Sequence, residues 1–110
     1  MIDVNIKFEE QNDRLLCKIN GDFDAYHSAE IKKQIKDRME SSKMSKIVID
    51  MSEVPYIDSA GLGAMVAILK DARHLGKEIV LASLRQNVKR IFEMTRLDKV
   101  FKIVEVLEEA

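Results

Sequence analysis

Between Lys46 and Leu84 the chain reads strand, helix, strand, and this order constrains the fold more than any other feature. Ile47-Val48-Ile49 is a continuous β-branched run bounded by Lys46 and Asp50. Such a run predicts a central strand covered on more than one side. The next apolar set, Leu62, Met65, Leu69 and Ala72 with Ile68 and Leu75 alongside, recurs at helical spacing. Lys70, Asp71, Arg73 and His74 fall on its polar side, and Gly76 stops it as a residue free to turn left-handed. Glu78 to Leu84, EIVLASL, is a further strand. A helix between two strands of one sheet requires a crossover, so these strands run parallel.

The flanks add elements of the same kind. Val4, Ile6 and Phe8 alternate with Asp3, Asn5 and Lys7, and Leu15, Cys17 and Ile19 alternate with Arg14, Leu16 and Lys18. With Gln11-Asn12-Asp13 as a turn they predict a hairpin. Asn20-Gly21-Asp22 breaks the second strand. A helix runs from about Ala25 or Ser28 to Glu40, its buried stripe Ile31, Ile35 and Met39. Gln86 or Asn87 opens a third helix with Val88, Ile91, Phe92 and Thr95 on one side. A short strand follows near Phe101 to Val104, and Glu105 to Ala110 make a last helical turn or two. The expected fold is α/β: one domain over residues 1–110, a mixed four- to five-stranded sheet with about four helices packed on it.

Composition removes several function classes. A net charge of −1 lacks the basic excess of a nucleic-acid binder. From Lys70 to Lys102 nine basic residues face four acids, but they are spread over two helices and a loop with few aromatic stacking partners. Cys17 is the only cysteine, which excludes an internal disulfide and suits a reducing cytoplasm as a buried small hydrophobe. The N-terminus has no signal-peptide pattern, and the longest uncharged run, Ser59 to Leu69, spans 11 residues where a membrane helix needs about 20.

The link between the third strand and the second helix, VPYIDSAGLGAM, is the segment with chemical content. Ser59 and Gly61 make half of a nucleophile elbow, but Ile57 stands where the first glycine belongs. Gly61 and Gly63 make part of a dinucleotide fingerprint, but Val66 replaces its third glycine. Asp22, Asp24 and His27 lie close together at a helix start, where acids ordinarily cap. No cofactor and no metal is expected. Pro55 cannot join a ladder and ends the third strand. Asp58 and Ser59 both suit the N-cap, and two such residues exceed what one helix start needs. Ala60, Gly61 and Gly63 leave the first turn bare, which admits another protein surface. The turn also lies at the carboxyl end of a parallel strand, where α/β proteins place their sites.

Asp58-Ser59-Ala60-Gly61-Leu62-Gly63, following Ile49-Asp50-Met51-Ser52 and Val54-Pro55-Tyr56-Ile57, resembles the STAS domain, more narrowly the stand-alone bacterial anti-sigma factor antagonists. Gly21-Asp22-Phe23-Asp24 resembles that family's second landmark, and the likeness covers essentially the whole chain. The resemblance implies a cytoplasmic regulator that is not an enzyme. Its unphosphorylated form binds an anti-sigma factor that is also a serine kinase and so releases a sigma factor. Phosphorylation switches binding off, and a serine phosphatase restores it. The position matching the phosphoacceptor is Ser59, and Ala60 replaces the second hydroxyl that many members carry. Gly21, Asp22, Asp24 and the run Asp58, Ser59, Ala60, Gly61, Leu62 and Gly63 match the partner-facing surface. On this reading Asp58 caps the helix and leaves the Ser59 hydroxyl free. A second reading makes the chain a STAS accessory subunit of a transporter or of a signalling scaffold.

Overall fold

The computed structural model describes residues 5–110, so the expected strand residue Val4 lies outside the described residues. The elements follow in the order β1 (Asn5–Gln11), β2 (Arg14–Asn20), α1 (Ser28–Ser41), β3 (Lys46–Glu53), α2 (Ser59–His74), β4 (Glu78–Ala82), α3 (Gln86–Met94) and β5 (Lys102–Val104). One-turn 3-10 helices occupy Leu97–Lys99 and Leu107–Glu109. The five strands form one sheet in sequence order, β1 and β2 antiparallel and every other pair parallel. Asn12 and Asp13 close the hairpin with φ of 53° and 60°, the left-handed pair that matches strand twist in a two-residue turn.

The sheet's two faces are covered unequally. Leu15, Cys17, Ile19, Ile47, Ile49, Met51, Ile79 and Leu81 belong to the main core with Ile31, Ile35 and Met39 of α1 and Met65, Ile68 and Ala72 of α2. Val88 and Phe92 of α3 join it, and the Phe92 ring meets Phe101 edge-on at 5.8 Å. The alternate residues Val48, Val80 and Ala82 form a smaller cluster beneath Leu107 and Ala110. Arg14 Nη1 pins that cover by donating to the Leu107 carbonyl at 2.9 Å. The β-branched run of β3 is thus buried on both faces, as its composition requires.

The helix count and the end of β4 differ from the sequence expectation. Among the described residues there are three α-helices rather than about four, because the chain after Met94 makes only single 3-10 turns. The first helix begins at Ser28, the later of its two expected starts, since Asp24 first closes a turn by accepting the His27 N–H on both its carbonyl and its carboxylate. Strand β3 runs on past its β-branched residues to Glu53 and ends before Pro55, as expected. Its buried Asp50 carboxylate accepts the Ser52 N–H at 2.9 Å. Strand β4 stops at Ala82, where Ser83 turns left-handed at φ 61°. Two side chains also leave the apolar faces assigned to them. Leu75 is 40% exposed at the end of α2, and Thr95 is exposed with its hydroxyl donating to the Ile91 carbonyl. Gly76 ends α2 at φ 70° as expected.

Burial of Cys17 pushes its thiol up to about 12, with the nearby Arg38 charge opposing the shift. It is inert as a nucleophile at neutral pH.

Candidate functional site

Parallel strands followed by helices bring two loops together at the carboxyl edge of the sheet. One joins β2 to α1 and carries Gly21, Asp22 and Asp24. The other joins β3 to α2 and leads into Asp58 and Ser59. Backbone bonds stitch them edge to edge. The Gly21 N–H donates to the Glu53 carbonyl at 3.0 Å, with Gly21 at φ 131°, a conformation that favours glycine. The Phe23 N–H donates to the Tyr56 carbonyl at 2.9 Å, and the Asp58 N–H returns to the Phe23 carbonyl at 3.3 Å. Phe23 and Ile57 are both buried and form a one-residue parallel bridge. The sheet therefore continues for one more rung beyond the ends of β2 and β3.

Asp58 is the central tie. As the N-cap of α2, its Oδ1 accepts the Gly61 N–H at 3.0 Å. Its Oδ2 accepts the Ala25 N–H of the other loop, also at 3.0 Å. One carboxylate thus serves two free donors, one from each loop. The Gly61 N–H is the chief cause that holds the Asp58 carboxyl below the usual range, with Ala25 adding to it and burial opposing it.

With Asp58 as cap, Ser59 becomes the first residue of α2. It is exposed, and among the described residues no side-chain hydrogen bond engages its hydroxyl. Ala60 beside it is half-buried and Gly63 is exposed. Gly61 and Leu62 are both buried. Glycine at 61 does not bare the surface. A Cβ there would lie 2.0 Å from the Phe23 carbonyl oxygen, so the missing side chain makes room for the neighbouring loop. At Gly63 a Cβ would meet nothing within 4 Å, and the expectation of bare surface applies there.

Asp22 and Gly21 are half-buried on the adjoining loop. Asp24 turns inward to its own helix start, where its Oδ1 lies 2.8 Å from His27 Nδ1. Among the described residues no cluster of three His, Cys, Asp or Glu side chains could hold a metal ion. No helix there is long and apolar enough to cross a membrane.

Sequence reasoning missed the third segment that frames the site. Arg85 Nε, at the start of α3, donates to the Ser52 carbonyl at 2.9 Å, and its Nη2 lies 3.6 Å from Glu53. Asn87 Nδ2 donates to the Pro55 carbonyl at 2.8 Å. No periodicity reports such contacts, because they join residues more than thirty positions apart.

The sequence pattern of the STAS domain matches residues 5–110. An anti-sigma-B factor antagonist of Listeria monocytogenes is 32% identical over 105 residues, covering 96% of this chain and 90% of that one. A Thermotoga maritima crystal structure, provisionally assigned as an anti-sigma factor antagonist, superposes with a TM-score of 0.86 at 28% identity, covering 94% and 89% of the two chains. The Bacillus cell fate determinant SpoIIAA in its phosphorylated form shares the fold at 14% identity, with a TM-score of 0.71 over 96% and 94%.

Proposed function

The chain belongs to the STAS domain family, and from that premise we propose that it is an anti-sigma factor antagonist switched by phosphorylation of Ser59. It acts by binding rather than by catalysis. In the unphosphorylated form the surface around Ser59 docks on an anti-sigma factor that is also a serine kinase, and the sigma factor is released. The kinase transfers the γ-phosphoryl group of ATP to Ser59 Oγ, ADP leaves, and the modified antagonist dissociates. A serine phosphatase hydrolyses the phosphoester and restores binding. Whole-length relatives that bear the antagonist name support the role, and a structural neighbour with a phosphorylated form supports the switch.

The observation that carries this reading is the division of labour between Asp58 and Ser59. The cap is supplied by the carboxylate of Asp58, so the Ser59 hydroxyl is exposed on the first turn of α2 with no structural duty. Free N–H groups and the dipole at a helix start tolerate a phosphate without refolding. The effect then falls on the partner. Beside Ala60 and Gly63 a protein surface can approach closely, and a phosphate adds bulk and about two negative charges that must be desolvated there.

The test is the intact mass after incubation with ATP and each purified anti-sigma factor serine kinase of the source organism. One added phosphate, absent in Ser59→Ala, is expected with the cognate kinase. No addition, or phosphate on another residue, overturns the reading. Ser59→Asp should bind that kinase more weakly, whereas Ser59→Ala should bind it and resist release.

A further inference from the structure

Around Ser59 the side chains are small. Ala25, Ala60 and Gly63 permit close approach but offer little area to grip. The same two loops carry two large exposed side chains. Tyr26 is 77% exposed and Tyr56 is 50% exposed. Tyr26 directly follows Ala25, whose N–H is bound by Asp58. Tyr56 lies two residues before Asp58, and its carbonyl accepts the Phe23 N–H. Both rings are therefore mounted on backbone that the stitched loops already hold. Tyr26 also stands edge-on to the His27 ring, centroids 5.1 Å apart, and His27 is tied to Asp24. An exposed aromatic ring on ordered backbone has much area to bury and little entropy to lose, which is the profile of an interface anchor.

The charge around these rings is one-sided. Residues 20–28 and 52–63 contain Asp22, Asp24, Glu53 and Asp58 but no lysine or arginine, in a chain with 18 basic and 19 acidic residues overall. Arg85, the N-cap of α3, is held at the edge of this surface by the Ser52 carbonyl and Glu53. Asp58 and Asp24 keep their negative charge while accepting bonds within the chain, and Asp22 adds to it, so the field around the tyrosine faces favours arginine and lysine side chains that stack on the rings.

We infer that Tyr26 and Tyr56 are the two anchors by which the Ser59 surface grips its protein partner, and that the partner meets them with basic side chains. The inference rests on the antagonist reading above and adds what holds the complex together.

The measurement is the dissociation constant, by calorimetry, between the full chain and the purified anti-sigma factor that it binds. Tyr26→Ala and Tyr56→Ala are each expected to weaken binding about tenfold or more. Tyr26→Phe and Tyr56→Phe, which keep the rings, stay within about threefold. Met94→Ala removes an equally exposed side chain at the far end of α3 and leaves affinity unchanged. Circular dichroism checks that each variant is folded. Should an alanine variant unfold, the lysine variant at that position replaces it, and loss of binding is again expected, since it opposes the basic partner. Alanine variants within about twofold of the parent, or an equal loss in Met94→Ala, overturn the inference while the antagonist reading stands. If the unsubstituted chain binds none of the organism's anti-sigma factors, the reading falls and the inference with it.

Discussion

The two ends of the α1–α2 pair solve the same problem with opposite charges. At the carboxyl edge of the sheet the helices begin, and their free groups are N–H donors. There a carboxylate, Asp58, ties α2 to the neighbouring loop by accepting from Gly61 and Ala25. At the other edge the helices end, and the free groups are carbonyls. There an ammonium, Lys77 after α2, donates to the Ser42 and Met44 carbonyls after α1, at 2.7 and 2.6 Å. Each tie matches the sign of its helix ends. The difference teaches where a negative group can be added cheaply. Only the donor-rich end suits an anion, and that is the end where Ser59 is exposed.

Substitutions can break this comparison end by end. The largest effect is expected from Gly61→Ala. The new Cβ would stand 2.0 Å from a backbone oxygen of the other loop, so the loops must part. A loss of about 3 kcal/mol or more in denaturant unfolding is expected, enough to lower the yield of folded protein.

Asp58→Asn is the subtler break at the same end. Asparagine still caps a helix but has one acceptor oxygen for two donors, so the tie to Ala25 or Gly61 is lost. Melting should fall by several degrees, and the loss should depend on pH. The Asp58 carboxyl titrates below its usual 3.8 in the native state, so its contribution is fully present above that value. It disappears as pH falls through the lowered native value. The gap in melting temperature between the parent and Asp58→Asn should therefore be constant near neutrality and close in strong acid. A gap that widens in acid would reverse the assignment.

Lys77→Met tests the carbonyl end. Two hydrogen bonds to the turn after α1 are removed at a half-buried position, at an expected cost of about 1–2 kcal/mol. Binding to an anti-sigma factor should not change, because this end lies across the sheet from Ser59. The smallest effect has the opposite sign. Gly63→Ala meets open space and should stabilise α2 by about 0.5–1 kcal/mol while weakening partner binding. A stabilised variant that binds as well as the parent would show that the surface beside Ser59 is not closely approached.

Much of this arrangement was legible in the residues. Alternation located β1 and β2, the β-branched run identified the doubly covered β3, and Gly76 marked the end of α2. Asp58 could be named as the cap because local bonds of three residues' span follow sequence rules. The rest depends on what lies across space. Gly61 reads as a bare helix start until Phe23 is set against it. Ala25, Arg85, Asn87 and Lys77 carry no local signal of the bonds they make to segments about thirty residues away. A boundary failed where a single residue decided, as with the left-handed Ser83 that ends β4. The motif also names Gly61 and Leu62, whose burial follows from the loop packed against them rather than from any local signal.

The burial of β3 on both faces, with parallel partners on both sides, has a kinetic consequence. Its amides should be among the slowest in the molecule to exchange with deuterated water, opening only with the whole domain. Only five residues separate the end of β3 from Ser59. The exposed Ser59 hydroxyl is thus anchored by a short link to this slow-opening strand, and chemistry there has little slack through which to disturb the interior.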